Sequence, residues 1–319
     1  MQHPRHCYEM LLDHAASTAH CQKLLIGLVW TLCQADENFQ PGLCMSPSQP
    51  TRTLPWSGTL QSRSISELAH WILSWNPYEA SVGLAAINSV INNHLIQNTV
   101  NLLPGNQANL SVFEYFLPQL LNKKVVVIGH YPGIENYQTK MQLSVLEKQP
   151  KDTDLPDTAS EYLLTDADWV FITASSLANK SFPRLAELAE KATSVLMGPS
   201  LPWLPQWHEF GINYLAGIEV INQQQLWSCI AEGGGVRIFE DSVAYRIAEL
   251  QPETSMNWLK NSIQECFATK TQLTKDMELW YSSGNCQRFP AYAELENINK
   301  RLSRLDTSFK QLWDSAAYV

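Results

Sequence analysis

The sequence lacks the features that mark several large classes of protein. No apolar run approaches the roughly 20 residues that a membrane-spanning helix needs, and the amino-terminal segment shows no basic-then-apolar pattern of a secretory signal. Of the 319 residues only 17% are charged, with a net charge of −9 at pH 7. That balance offers no basic face for nucleic acid. We therefore expect a folded, soluble protein that binds neither nucleic acid nor membrane.

Paired cysteines are missing as well. The seven cysteines are scattered, odd in number and without any Cys-x-x-Cys pair, which favours reduced thiols and a cytoplasmic location. Histidine and cysteine concentrate near the amino terminus, where Cys7, His14 and Cys21 recur every seven residues. This spacing matches no closed metal site, so we interpret these three residues as core positions around a helix over residues 8–22.

The standard nucleotide and catalytic motifs are also absent. The chain contains no Gly-x-Gly-x-x-Gly, no Walker loop, no His-Glu-x-x-His and no Gly-x-Ser-x-Gly. A standard dinucleotide site is thus unsupported, and the sequence alone identifies no catalytic residue. Whether the protein is an enzyme stays open at this stage.

Residues 1–110 predict a small α+β domain. The apolar run 24–34 predicts a strand, and residues 42–46 can return as its antiparallel partner. Helices are predicted over residues 64–75 and 78–95. Asn88 and Asn92 lie one turn apart on the second helix, so their amides share a face. That face either lines a cleft or forms a surface stripe, and the spacing leaves both interpretations open.

From Lys123 the pattern changes to a regular alternation of strand and helix. Such alternation predicts a parallel sheet with right-handed crossovers, here over residues 111–250. Strands are predicted at 124–128, 142–147, 169–174, 194–198, 214–221 and 236–240. Helices are predicted near 134–140, 159–165, 183–192, 205–210 and 222–232. The order of the strands does not follow from the sequence.

Polar and turn-forming residues gather where these strands end. In parallel sheets, ligands bind beyond the carboxyl ends of the strands, so we predict one ligand site there. The alternative is that these glycines and prolines only form turns. The candidates are Gly129, His130 and Pro132 after the first strand, Glu147 at the end of the second, Thr173, Asn179 and Lys180 after the third, and Gly198 and Ser200 after the fourth.

His130 and Glu147 make a metal the first hypothesis for this site. Imidazole and carboxylate ligands suit zinc, nickel, cobalt or iron better than calcium. Glu147 also lies near the position of the ribose-binding acid of Rossmann folds. The competing hypothesis is therefore an enzyme that holds a nucleotide-like or other anionic molecule, such as an S-adenosyl or NAD-type ligand, with Lys180 at its anionic part.

The same stretches resemble a prokaryotic family described as putative heavy-metal chelation proteins. The matching segments are GLAAINSVINN (83–93), VVVIGHYPG (125–133), DADWVFITASSLANKSFPRL (166–185), VLMGPSLPW (195–203), and LAGIEVIN with IAEGGGVRIFE (215–240). The resemblance implies an enolase N-terminal-like domain followed by a Rossmann-like domain, with a metal-chelating site between them. It adds Asn88 to the site residues above. Ala174 departs from the glycine expected in the family's loop.

Residues 251–319 lie outside this resemblance and predict two amphipathic helices joined by a Gly/Pro break. Their eight acids balance eight bases, so the whole charge of −9 lies in the first 250 residues. An apolar face of this length must be buried against something. It packs on the protein's own domains, or it binds a second copy or another partner, which would make the protein a scaffold or delivery protein.

Overall fold

The structure, a computed structural model, describes residues 3–36, 39–49, 53–92, 99–102, 108–151 and 153–316. A three-stranded antiparallel sheet with its helices packs beside an eight-stranded sheet, and two long helices end the chain. This confirms the predicted α/β class, with a small α+β unit, a mostly parallel sheet and a helical hairpin. Among the described residues, no helix is both long and apolar enough to cross a bilayer.

The small unit is built from six short elements. They are α1 (His6–Ala15), β1 (Lys23–Ile26), β2 (Trp30–Gln34), β3 (Gly42–Met45), α2 (Ile65–His70) and α3 (Pro77–Ile91). The antiparallel return at residues 42–46 is confirmed, because β3 pairs with β2. The prediction of one strand over 24–34 was wrong: the chain reverses at residues 27–29, where the Gly27 N–H donates to the Trp30 carbonyl. Because Leu28 at the tip of this turn is apolar, the composition of the segment did not indicate a turn.

The three helices of this unit end earlier than predicted. The helix predicted over residues 64–75 ends at His70 and is followed by a 3₁₀ turn that ends at Leu73. The helix predicted over residues 8–22 ends at Ala15, although Cys7, His14 and Cys21 are all buried, as core positions should be. The helix predicted over 78–95 ends at Ile91, and its predicted last residues, 93–95, lie outside the described residues.

The large sheet holds eight strands with short helices between them. These elements are β4 (Val100–Asn101), α4 (Ser111–Leu120), β5 (Lys124–Ile128), β6 (Gln142–Glu147), β7 (Leu155–Pro156), α5 (Ser160–Leu163), β8 (Trp169–Thr173), α6 (Ser175–Ala178), α7 (Phe182–Leu188), β9 (Thr193–Met197), β10 (Tyr214–Val220), α8 (Gln223–Ala231), α9 (Ile238–Asp241) and β11 (Val243–Glu249). Several connections are 3₁₀ helices, including Pro205–Phe210.

The strand order places the site. From one edge the strands run β7-β6-β5-β8-β9-β10-β11-β4, and the first six are parallel. Numbered along the chain from β5, those six follow the 3-2-1-4-5-6 order of Rossmann sheets. The order reverses between β5 and β8, and in such sheets ligands bind in the crevice at that reversal.

β5 is buried on both faces, as its uninterrupted Val/Ile run predicted. Val126 and Ile128 belong to the core shared with the small unit, whereas Val125 and Val127 belong to the core on the opposite face. Side chains that alternate between two cores fix the register of a strand. The loop after β5 therefore starts from a rigid position.

The last part of the sheet differs from the prediction. Residues 236–240 were predicted as a strand, and this was wrong, because Ile238–Asp241 form a helical turn. The strand that follows is β11, which runs antiparallel to β10 and also pairs with the short edge strand β4. Ile238 and Phe239 are buried, and because a buried helical turn and a buried strand both need apolar residues, their hydrophobicity did not distinguish helix from strand.

The tail forms the predicted helical hairpin, α10 (Pro252–Ser282) and α11 (Tyr292–Ala316). Leu259, Cys266 and Leu305 form the core between its two helices. The hairpin also packs on the rest of the chain: Arg304 Nε lies 2.5 Å from Asp13 Oδ2 on α1. The tail's polar contacts are therefore made, at least in part, within its own chain.

Candidate functional site

The first part of the site is the crevice between β5 and β8. Gly129 has φ +96°, a left-handed conformation that side chains rarely adopt, and a Cβ there would lie 3.3 Å from Thr173 Cγ2. Gly198 has φ +112°, and a Cβ there would lie 3.6 Å from Tyr131 Oη. Glycine at both positions lets the loops after three neighbouring strands pack together. The Thr173 hydroxyl lies 3.0 Å from the Ser175 hydroxyl at the same edge.

His130 follows directly and is held by an acid that the sequence did not single out. Its Nδ1 lies 3.0 Å from Asp154 Oδ1. The Asp154 side chain is 3% exposed, whereas that of His130 is 34% exposed. An ionised carboxylate only accepts hydrogen bonds, so Nδ1 carries the proton, and neutral imidazole then keeps its lone pair on Nε2. Metal-binding histidines are commonly oriented by a carboxylate in this way.

Glu147 supports the same loop through its backbone. Its Oε2 accepts from the His130 N–H at 3.0 Å, and its Oε1 accepts from the Lys148 N–H at 2.9 Å. Pro132 is anchored separately, because its carbonyl accepts from Asn109 Nδ2 at 2.9 Å. Glu147 thus fixes the backbone of the loop, while Asp154 contacts the imidazole that the sequence paired with Glu147.

The second part of the site is the contact between the small unit and the sheet. Asn88 is fully buried, and its Nδ2 donates to the carbonyls of Leu43 at 2.8 Å and Ser200 at 2.9 Å. Its Oδ1 has no hydrogen-bond partner among the described residues. The Ser200 hydroxyl accepts from the Met45 N–H at 2.9 Å. Asn88 and Ser200 therefore join β3, α3 and the loop after β9.

A glycine and a second amide complete this contact. A Cβ on Gly42 would lie 2.1 Å from the Ser89 backbone nitrogen, so only glycine lets α3 approach β3 this closely. Asn92 donates to the Leu201 carbonyl at 2.9 Å and accepts from the Trp203 N–H at 3.0 Å. The face that carries Asn88 and Asn92 therefore binds the loop after β9 and does not form a surface stripe.

Lys180 lies at the same boundary. Its backbone is left-handed, with φ +67°, and its Nζ donates to the carbonyls of Ser74 and Ala178. Burial lowers the pKa of Lys180 to about 8, although both carbonyl acceptors oppose this shift by favouring the ammonium form. Nearby Cys44 is buried, which raises the pKa of its thiol to about 12.

Asn179 and Ala174 have structural explanations. Asn179 Oδ1 accepts from the Ser181 N–H at 3.0 Å and the Ser181 hydroxyl at 2.6 Å, which shapes the turn before α7. Ala174 has φ −66° and is buried. Because this is ordinary right-handed backbone, the position does not need glycine for its conformation.

The donor set is small for a closed metal site. Over the described part of the chain, no group of three or more His, Cys, Asp or Glu side chains is placed to hold a metal ion. Two cavities, of about 410 and 360 Å³, lie against the helical hairpin and are not lined by the crevice residues. The described residues of the crevice therefore offer one oriented imidazole and several hydroxyls.

The predicted residues divide into connected groups. Gly129, Thr173 and Gly198 pack together, while Asn88 and Ser200 form the contact between the small unit and the large sheet. Sequence reasoning missed Asp154 because it lies in an irregular segment, where no periodicity indicates which way a side chain points. It also missed that Cys44 lies near Lys180, because the apolar strand that contains Cys44 does not indicate which residues pack against it.

Comparisons with known proteins agree with this architecture. Family models DUF4213 and DUF364, both described as "Putative heavy-metal chelation", match residues 8–91 and 111–249 respectively. A DUF364-family protein of unknown function from Desulfitobacterium hafniense DCB-2 shares 28% sequence identity and a TM-score of 0.68. That match covers 77% of this chain and 98% of the other.

A second solved structure has the same fold. It is a DUF364-family protein of unknown function from Pyrococcus horikoshii, with 21% identity and a TM-score of 0.61, and the match covers 76% of this chain and 99% of that one. Among curated proteins, none matches the chain significantly. Both family models end before α10, so the hairpin lies outside the matched regions.

Proposed function

This chain belongs to the family described as "Putative heavy-metal chelation", and from that premise we propose that it binds a metal-bearing small molecule. The proposed position is the crevice after β5 and β8, beside the contact between the two domains. The metal is part of the bound molecule, which supplies most of the metal's ligands. His130 Nε2 supplies the protein's ligand to an open coordination position.

The observation that carries this proposal is the contact between His130 and Asp154. The carboxylate fixes both the tautomer and the orientation of the imidazole, with their atoms 3.0 Å apart. Glu147 holds the backbone of the same residue through a second hydrogen bond. A histidine fixed at both backbone and ring, with its remaining nitrogen on a part-exposed side chain, is suited to bind a transition metal.

The small donor set supports a chelate over a bare ion. A protein site that binds a free transition-metal ion usually supplies three or four ligands, and the described residues bring no such group together. A metal that arrives in a complex needs only one or two more. The hydroxyls of Thr173 and Ser175 can contact the organic part of such a complex through hydrogen bonds.

Calorimetric titration of untagged protein tests the proposal, with nickel(II) alone and nickel(II) citrate as probes. We expect the citrate complex to bind and His130→Ala to weaken that binding at least about tenfold. Asp154→Asn should weaken it about 10–100-fold, as loss of an orienting carboxylate does at other metal sites. His70→Ala is the matched control, because His70 is exposed on α2 and its Nδ1 contacts the Ser66 carbonyl of the same helical segment.

Two results would contradict this proposal. One is the absence of binding of either probe by the wild-type protein. The other is equal binding by wild type and His130→Ala. If the protein instead binds uncomplexed nickel more tightly than the citrate complex, and His130→Ala loses that binding, His130 remains the metal ligand. The ligand of the site is then a bare ion and not a chelate.

The strand order supports a second candidate function, an enzyme that binds a nucleotide-like ligand. Glu147 ends the second strand of a Rossmann-ordered sheet, where a ribose would bind. Both of its carboxylate oxygens, however, already accept from backbone N–H groups, which ranks this function second. Stabilisation by ATP, NAD or S-adenosylmethionine without metal, lost in Glu147→Gln, would reverse the ranking.

A further inference from the structure

Two cysteines of the small unit lie side by side, and neither belongs to the site proposed above. Cys21 precedes β1 and Cys33 lies in β2, and their sulfur atoms are 3.9 Å apart. Both side chains are buried in the same core. Over the described residues, this is the one thiol–thiol hydrogen bond, whereas the thiols of Cys7 and Cys44 donate to backbone carbonyls.

We propose that Cys21 and Cys33 form a redox modification site, in which hydrogen peroxide converts the two thiols to one disulfide. The Cys21 thiolate attacks a peroxide oxygen, the O–O bond breaks, and a sulfenic acid and one water result. The Cys33 sulfur then attacks the Cys21 sulfur, the S–O bond breaks, and a second water leaves. Two thiols lose two electrons and two protons, and one peroxide becomes two waters.

The geometry favours this pair over any other. A disulfide needs a sulfur–sulfur distance of about 2.05 Å, so the two sulfurs must approach by about 1.9 Å, a distance that small rotations of two side chains can supply. The Cys33 thiol donates to the Cys21 sulfur. This hydrogen bond lowers the pKa of Cys21, whereas the same contact and burial raise the pKa of Cys33. Cys21 is therefore the attacking thiol and Cys33 the resolving one.

The surroundings of Cys21 explain how an oxidant can reach it. Cys21 lies in the irregular segment before β1, where its N–H donates to the Arg63 carbonyl and its own carbonyl accepts from the Ser62 N–H of a second irregular segment. Such segments open locally at lower cost than helices or sheets. In a reducing compartment this disulfide would be transient, as sensing disulfides in the cytosol are.

Peptide mapping of the wild-type protein tests the proposal directly. Purified reduced protein is treated with hydrogen peroxide, alkylated under denaturing conditions without reductant, and cut with trypsin and a Glu-specific protease. Cleavage after Glu9, Lys23 and Glu37 places Cys21 and Cys33 in separate peptides, 10–23 and 24–37, that contain no other cysteine. We expect a disulfide to link these two peptides. Before alkylation, the intact oxidised protein should be about 2 Da lighter than the reduced protein.

Variants separate this pair from general thiol oxidation. Cys21→Ala and Cys33→Ala should each abolish the loss of 2 Da and leave the partner cysteine as a sulfenic acid or a free thiol. Cys286→Ala is the matched control, because Cys286 is exposed in the hairpin turn, and it should leave the linked peptides unchanged. The proposal is overturned if wild type shows no 21–33 link, or if links to other cysteines form in equal yield.

Discussion

The Asn88 side chain and the Ser200 backbone lie 112 positions apart in the chain and 2.9 Å apart in the structure. The same amide also reaches the Leu43 carbonyl at 2.8 Å. One buried side chain therefore connects two elements of the small unit to the loop after β9. The geometry of the crevice depends on this connection, since Ser200 follows Gly198 by two residues.

Replacing Asn88 by leucine should destabilise the protein by about 1–3 kcal/mol. Leucine has a similar size but no N–H donor, so it leaves two buried carbonyls without this hydrogen bond. Urea unfolding of both proteins measures the difference. Asn299→Leu serves as control, because Asn299 is exposed on α11 and should change stability by no more than about 0.5 kcal/mol. An equal loss in both variants would contradict the role of Asn88.

Gly129→Ala should cost more stability than Gly211→Ala. Both glycines have positive φ, and left-handed backbone costs an alanine about 1–2 kcal/mol. A Cβ on Gly211 meets nothing within 4 Å, whereas one on Gly129 also meets Thr173 at 3.3 Å. Adding Thr173→Ser to Gly129→Ala removes the nearest methyl group and should recover part of the extra loss. Chemical denaturation of all three variants checks this order.

Lys180 should make the protein more stable as the pH rises from about 8 to about 10.5. Burial lowers its pKa from 10.5 to about 8, so in this window the unfolded chain holds a proton that the folded chain has released. Stability therefore increases with pH there, and below pH 8, where both states hold the proton, this group adds no pH dependence. Subtracting the pH profile of Lys180→Met isolates the effect from other titrating groups. A difference that stays flat from pH 8 to 10.5 would contradict it.

Removing residues 251–319 should lower the melting temperature and the solubility of the protein. The truncation deletes Arg304 and Ser308, which contact Asp13 and Glu209 respectively, and uncovers the surfaces beneath them. Thermal melting and light scattering of residues 1–250 measure both effects. If this fragment stays folded and monomeric with an unchanged melting temperature, the hairpin is a detachable module for a partner.

Local pattern was enough to predict much of the sheet. The segments predicted at 124–128 and 142–147 are strands with those bounds. For 124–128 the reason is burial on both faces, which demands continuous hydrophobicity. Helical period alone put Asn88 and Asn92 on one face. Local pattern failed where hydrophobicity suited either structure, as at residues 236–240, or where an apolar residue occupied a turn, as at Leu28.

The sequence by itself determined most of the elements and where one parallel sheet ends in polar loops. Only the tertiary structure decided which of those polar groups meet. Glu147, which ends a strand, binds backbone N–H groups, while Asp154, from an irregular segment, holds the His130 ring. The reason is physical: hydrophobic period acts between neighbours in the chain, whereas a hydrogen bond forms between whichever groups packing brings within about 3 Å.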